Sequence, residues 1–293
     1  MFKLKIPRAV LQNILLKFIE EDVGFGDITT ENLIPLGIEA EAEIIAKENL
    51  VVAGIEEVKI LFEIMGVQVT EAVKDGEEVK AGKIIMELKG DARDILTVER
   101  TALNLLMRMS GIATATRRLI EKIRKAGFRS RIAATRKTAP GLRYFDKKAI
   151  LIGGGDTHRL RLDDVVLIKD NHIAIIGGIK KAIRLAKKSV SFSKKIEVEV
   201  RSSKEVLEAA KAGADIIMLD NMSIEEVKES MRLLNAENLR SNVIIEVSGG
   251  VTEENILNYA KMKPDVISIG YLTHSVKSVD ISLEIKKIKK DAF

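Results

Sequence analysis

The sequence predicts an α/β protein in two parts, a mixed α and β segment followed by a parallel (β/α) barrel. Three observations carry that prediction. Up to about residue 110, helical and period-two apolar patterns follow one another without a fixed rhythm. From about residue 129, seven short apolar runs recur, each ending in polar or glycine-rich residues: RIAATRKT, KKAILIGGG, DVVLIKDN, KIEVEVRS, DIIMLDN, VIIEVSGG and DVISIGYLT. Helical stretches such as SKEVLEAAKAG, IEEVKESMRLL and TEENILNYAKM lie between several of them, the alternation of parallel βαβ units. Seven strands approach the eight of a closed barrel, in which function gathers at the C-terminal strand ends. A chain of 293 residues has room for one large barrel or two domains.

The first part reads in order. Residues 7–21 form an amphipathic helix, with Val10, Leu11, Ile14, Leu15 and Phe18 at helical spacing. A turn follows at GFGDITT, and Glu39–Ala46 alternates as a strand. GIEEVKILFEIMG is a short helix closed by Gly66. VQVTEAVKDGEEVKAGKIIMELKG reads as hairpin strands with turns at Asp75-Gly76 and Ala81-Gly82. That hairpin is similar to lipoyl- and biotin-carrier domains, but it lacks the tip lysine, which argues against a carrier role. Asp94 to about Lys125 predicts one or two helices.

Composition narrows the function. Hydrophobic residues make up 46% and charged residues 31%, a globular balance. With no cysteine, disulfides and thiolate metal sites are excluded. The opening MFKLKIPRAVLQ has no continuous apolar stretch of the signal-peptide kind, and no run approaches the roughly 20 apolar residues of a membrane span. A cytoplasmic protein is expected. A net charge of +5 suits an anionic ligand. Aromatic residues at 4%, without Trp, argue against a base-stacking nucleic-acid surface.

The placement of the cations is more telling than their number. From Arg136 to Lys169 there are eight Lys or Arg residues plus His158. Arg136, Lys137, His158, Arg159 and Lys169 fall at or just after strand ends, so a barrel would bring them to one mouth. The alternative is a solvated basic surface loop, disfavoured because the cations sit at strand ends, where barrel sites form. Such a mouth asks for a multiply anionic ligand, because Arg captures carboxylate or phosphate bidentately and Lys acts as a point charge. Later strand ends offer Glu197, Glu199 and Asp220. Alternation puts Glu197 and Glu199 on the same side of their strand. An inward carboxylate and Asp220 could hold hydrated Mg²⁺ on a pyrophosphate, or flank a cationic sugar ring, or form salt bridges with nearby Lys. Ser248-Gly249-Gly250 and Gly270 follow the last two strands, where barrels often bind phosphate through backbone N–H groups; a plain turn is the alternative. His158 is read as contacting substrate, and His172 and His274 as structural.

TRKTAPGLR, GGGDTHR, LIKDNH, IEVEV, MLDN and SGG, in this order, resemble the quinolinate phosphoribosyltransferase family. EDVGFGDIT, VERTALNLL and SIGYLTHS extend the resemblance to nearly the whole chain. It implies an N-terminal α/β sandwich domain over residues 1–110 and an incomplete, seven-stranded TIM-like α/β barrel over 111–275. Residues 276–293 are expected as a helix packing back on the N-terminal domain. The resemblance also implies transfer of phosphoribosyl from phosphoribosyl pyrophosphate to quinolinate with decarboxylation, Mg²⁺ as cofactor, and a homodimer with shared active sites to which Arg100 is donated across the interface. Arg136, His158, Arg159 and Lys169 match the quinolinate contacts, with Thr135 grouped beside them. Lys137 matches a residue near the phosphoribosyl group. Glu199 and Asp220 match the acidic pair facing ribose and metal, and with Lys137 they are the expected catalytic set. Ser248, Gly249, Gly250 and Gly270 match the phosphate-binding turns. Ala134 and Thr157 depart from the acidic residue and the Asn that the family often has there. A nicotinate phosphoribosyltransferase and the molybdenum-transport-associated relative are the nearest rivals; a polyanion or nucleic-acid binder is the rival of another class.

Overall fold

The computed structural model describes residues 4–288, which group into two compact units. One holds the chain up to Ala115, Lys148–Gly154 and the chain from Val276; the other holds Thr116–Lys147 and Gly155–Ser275.

In the first unit, helix α1 (Arg8–Val23) buries Leu11, Leu15 and Ile19, one residue per turn on one stripe. The GFGDITT turn leads directly into α2 (Ile28–Leu33), whose N-cap is Asp27. The Asp27 carboxylate accepts the Thr30 hydroxyl at 2.5 Å and the backbone N–H groups of Thr30 and Thr29, which hold it below the usual carboxylate range. Strand β1 (Glu39–Ala46) keeps the expected alternation, burying Ala40, Ala42 and Ile44. Next come β2 (Leu50–Val51), α3 (Ile55–Ile64), β3 (Gln68–Ala72), β4 (Glu78–Val79) and β5 (Ile84–Asp91). The expected hairpin is split: β3 pairs with β5, while β4 pairs with β2. Asp75 explains the detour. Its carboxylate accepts from the N–H groups of Gly54 (2.8 Å) and Ile55 (3.0 Å), tying the turn to the start of α3. Helix α4 (Ala92–Lys125) is one continuous helix of 34 residues.

The second unit runs β6 (Arg131–Ala133), the start of α5 (Arg143–Ile152, which belongs to the first unit from Lys148), β7 (Val166–Ile168), α6 (Asp170–Ile176), α7 (Ile179–Ser189), β8 (Ile196–Val200), α8 (Ser203–Ala212), β9 (Ile216–Asp220), α9 (Ile224–Ala236), β10 (Ile244–Ser248), α10 (Ile256–Ala260), β11 (Val266–Ser268) and α11 (Tyr271–His274). Six parallel strands pair in the order β6-β11-β10-β9-β8-β7. Ser202 caps α8, and Ser223 with Glu226 forms a capping box on α9. The α/β, TIM-like barrel fold is therefore as expected, with one correction. KKAILIGGG is not a strand; most of it is the end of α5. Phe145 and Ala149 lie one helical turn apart and are both buried, and a short apolar run cannot separate helix from buried strand by periodicity. What remains of the seventh strand is a single bridge between Asp156 and Ala133.

After α11 the last described element is strand β12 (Ile281–Ile288), antiparallel to β1, and the first unit's sheet has the order β12-β1-β5-β3. This corrects the helix expected over 276–293. Ile281, Leu283 and Ile285 alternate, so one face of a strand is apolar, as β1 requires of its neighbour. Residues 289–293 of that expected helix lie outside the described residues.

Candidate active site

Strand register builds the site. Glu199, Met218 and Glu246 are partners across β8, β9 and β10; two residues on, Asp220, Ser248 and Ser268 are partners across β9, β10 and β11. Period two puts both rows on one face. That face and the loops after β6 and α5 line a pocket of about 410 Å³. Thr135, Arg136, Lys137, His158, Arg159, Lys169, Glu199, Asp220 and Ser248, all proposed from sequence, line it. Arg100 does not: it belongs to the first unit, is exposed, and has Glu99 at 3.9 Å. Met218, Asn221, Glu246 and Ser268 line the pocket without having been singled out. A signal for Glu246 existed, since it is the only charge within the strand VIIEVS and stands two residues before Ser248.

The cations are arranged to take an anion. Lys169 Nζ lies 2.5 Å from Glu199 Oε1. Its backbone N–H donates to His172 Nδ1 at 2.9 Å, so His172 caps α6 and fixes the lysine's origin. Arg136 Nε is buried and has no hydrogen-bond partner among the described residues, a donor left over for a ligand. Burial, with the neighbouring Arg136 charge, pushes the Arg159 guanidinium down from its usual value. The acidic side is equally ordered. Asn221 Nδ2 donates to Asp220 Oδ1 at 3.1 Å, and Arg201 Nε stands 3.8 Å from Asp220 Oδ2. Glu199 and Asp220 offer only carboxylate oxygens, the donors a hard divalent cation takes, with room in the pocket for ligand oxygens to complete its coordination. Glu197, two residues before Glu199, is wholly buried and faces inward toward His158.

His158 sits in the left-handed region at φ +50, and its backbone N–H donates to Asp156 Oδ1 at 2.8 Å. Its Nε2 lies 3.0 Å from Glu246 Oε2 and 3.3 Å from Glu197 Oε1. Burial pushes the imidazolium down, but the bonds and charges of Glu197 and Glu246 more than reverse this, raising it to about 10. Burial foremost raises the Glu197 carboxyl. These three residues stand close enough to share a metal ion; with the imidazole protonated, as its raised pKa implies, Nε2 instead donates between the two carboxylates.

The glycine turns stand beside the pocket. Gly249 has φ +87, and a Cβ there would run into the Asn221 side chain. A Cβ on Gly270 would stand 3.1 Å from His274 Nε2 and 3.3 Å from Lys137 Cδ, so the missing side chain lets those two residues converge on the turn after β11. Gly250 has φ +61. None of the three glycines lines the pocket itself.

Two family models account for most of the chain: the quinolinate phosphoribosyl transferase N-terminal domain over residues 27–110 and its C-terminal domain over 112–284. The chain belongs to the quinolinate phosphoribosyl transferase family. It is 56% identical over 274 residues to a Methanocaldococcus jannaschii protein named "probable nicotinate-nucleotide pyrophosphorylase [carboxylating]", covering 93% of this chain and 96% of that one. The rat nicotinate-nucleotide pyrophosphorylase [carboxylating] is 36% identical over 280 residues, covering 96% and 92%. Among solved structures, the nicotinate-nucleotide pyrophosphorylase from Francisella tularensis superposes with a TM-score of 0.89 at 36% identity, covering 98% of this chain and all of that one. The pocket lies at the C-terminal ends of the barrel strands.

Proposed function

We propose that this chain transfers phosphoribosyl from phosphoribosyl pyrophosphate to quinolinate, releasing pyrophosphate and carbon dioxide and forming nicotinate mononucleotide for NAD biosynthesis. The observation that carries this reading is the convergence of Arg136, His158, Arg159 and Lys169 on one pocket, with the buried Arg136 Nε left without a partner. Two ring carboxylates are expensive to desolvate, and this cluster offsets that cost. Arg136, Arg159, Lys169 and His158 hold the carboxylates, with Thr135 beside them. Lys137 and the turns at Ser248, Gly249, Gly250 and Gly270 hold the phosphate groups. Glu199 and Asp220 stand where positive charge develops on the sugar as its bond to pyrophosphate breaks; such preorganised groups contribute about 3 kcal/mol each. They would also hold Mg²⁺ together with pyrophosphate oxygens, and the ion would neutralise charge on the leaving group. The ring nitrogen forms the new bond to the sugar carbon and becomes cationic. The electron pair of the adjacent carbon–carboxylate bond then passes into the ring, carbon dioxide leaves, and the ring carbon takes a proton from solvent.

Our reading includes a cytoplasmic homodimer, in which Arg100, exposed in the first unit, reaches the partner's pocket. The test is an assay with purified protein, phosphoribosyl pyrophosphate and Mg²⁺, given quinolinate or nicotinate. Mononucleotide and carbon dioxide from quinolinate alone are expected. Turnover of nicotinate alone would keep the phosphate site and overturn the dicarboxylate reading.

A further inference from the structure

We propose that Glu246 and Glu197 are positioning residues for His158, clamping its Nε2 edge from two strands so that Nδ1–H stands as a fixed donor to a ligand carboxylate. This rests on the pocket being the quinolinate site. The clamp is built from both sides. Glu246 is itself held by the Ser268 hydroxyl, which donates to its Oε1. The loop carrying His158 is pinned by Asp156 on its N–H and by buried Lys147, whose ammonium donates to the Thr157 carbonyl. Those bonds maintain a left-handed, non-glycine conformation that is unfavourable on its own.

The chemistry follows from the two edges of the ring. Nε2 is committed to the carboxylates, whereas Nδ1 has no hydrogen bond among the described residues and His158 lines the pocket. In a neutral ring with its proton on Nε2, Nδ1 would be an acceptor and would repel a carboxylate. Only the doubly protonated ring donates from both edges. Two buried carboxylates require a cation between them, and that requirement keeps the second proton on the ring. The other charged groups that line the same pocket are Arg136, Lys137, Arg159, Lys169, Glu199 and Asp220, with Asp156 on the His158 N–H and Lys147 on the Thr157 carbonyl. None of them replaces the contact that Glu246 makes with Nε2.

The experiment combines imidazole nitrogen NMR on the full ligand-free protein with steady-state kinetics on the wild type and Glu246→Gln. At pH 8 the wild-type His158 ring is expected to be doubly protonated, and mostly neutral in Glu246→Gln. The KM for quinolinate should rise about tenfold in the variant at pH 8 and recover at pH 6, while the KM for phosphoribosyl pyrophosphate stays put. A purely structural role would shift both KM values at every pH. That result, or a ring with the same protonation in both proteins, overturns the proposal. Should Glu246→Gln fail to fold, Glu197→Gln carries the same test. If the wild type turns over no quinolinate, the proposed function falls, while the NMR arm still decides whether the clamp exists.

Discussion

Lys148 in the first unit holds two glutamates at close range and Lys169 in the second holds one, but the two sites differ in what else can reach them. Lys148 Nζ lies 2.6 Å from Glu56 and 2.7 Å from Glu57; its side chain is 9% exposed and that of Glu57 is 0% exposed. Lys169 and Glu199 are as close, yet their side chains are 44% and 16% exposed and both line the pocket. The Lys148–Glu57 pair is closed, and its desolvation is tolerable only because the partners stay together. The second is open to ligands, so each member can trade its partner for a substrate group of the same charge. Proximity alone does not tell a structural ion pair from a working one; access does.

The sharpest way to break this comparison is Lys169→Ala. We expect kcat/KM for quinolinate to fall by about 100-fold or more, with stability within about 0.5 kcal/mol of wild type. Unchanged quinolinate kinetics would remove Lys169 from the carboxylate site. Lys148→Met should do the reverse. Denaturant unfolding is expected to show a loss of about 3 kcal/mol, because Glu57 is left buried beside no cation, while the folded fraction keeps its KM. A variant as stable as wild type would show the closed pair to be dispensable.

Gly249→Ala tests the phosphate turn. Its left-handed φ and the nearby Asn221 side chain predict a loss of about 1–2 kcal/mol and a higher KM for phosphoribosyl pyrophosphate. An unaffected KM would return this turn to a plain connection.

A pH series sharpens the contrast between two buried cations of the second unit. His158 is raised to about 10 and Lys147, by burial first, is lowered to about 8. The stabilisation from a charged His158 is complete below about pH 6.5 and is lost as pH rises through 10. Lys147 acts in the opposite sense, because between about pH 8 and 10.5 the unfolded chain binds the extra proton and stability rises with pH. The stability gap between wild type and His158→Gln should therefore narrow from pH 7 to 10; a gap that widened would contradict the protonated ring. The smallest effect belongs to the surface. Lys287→Ala removes a 3.2 Å pair with Glu41 from an exposed sheet edge, and thermal unfolding should register at most about 0.5 kcal/mol.

The amino-acid sequence by itself determined what depends on nearby residues. The alternation of β1, the helical stripe of α1, the capped helices of the second unit and the rhythm of strand and helix all arise from local periodicity and capping chemistry. The same holds for Arg136, Lys137 and Lys169, which follow β6 and β7, since a parallel βαβ repeat sends every such strand end to one face; His158 and Arg159 come from the loop after α5. Tertiary structure alone decided the rest. KKAILIGGG became a helix because Phe145 and Ala149 found burial one turn apart, and the last segment became a strand because β1 offered an open edge. Asp75 turned from a turn residue into a helix cap across 20 positions of sequence. Glu246 and Glu197 became partners of His158 although 88 and 39 residues separate them from it. Such pairings have no periodic signature, because their energy comes from burial and from groups that meet only when the barrel strands come into register.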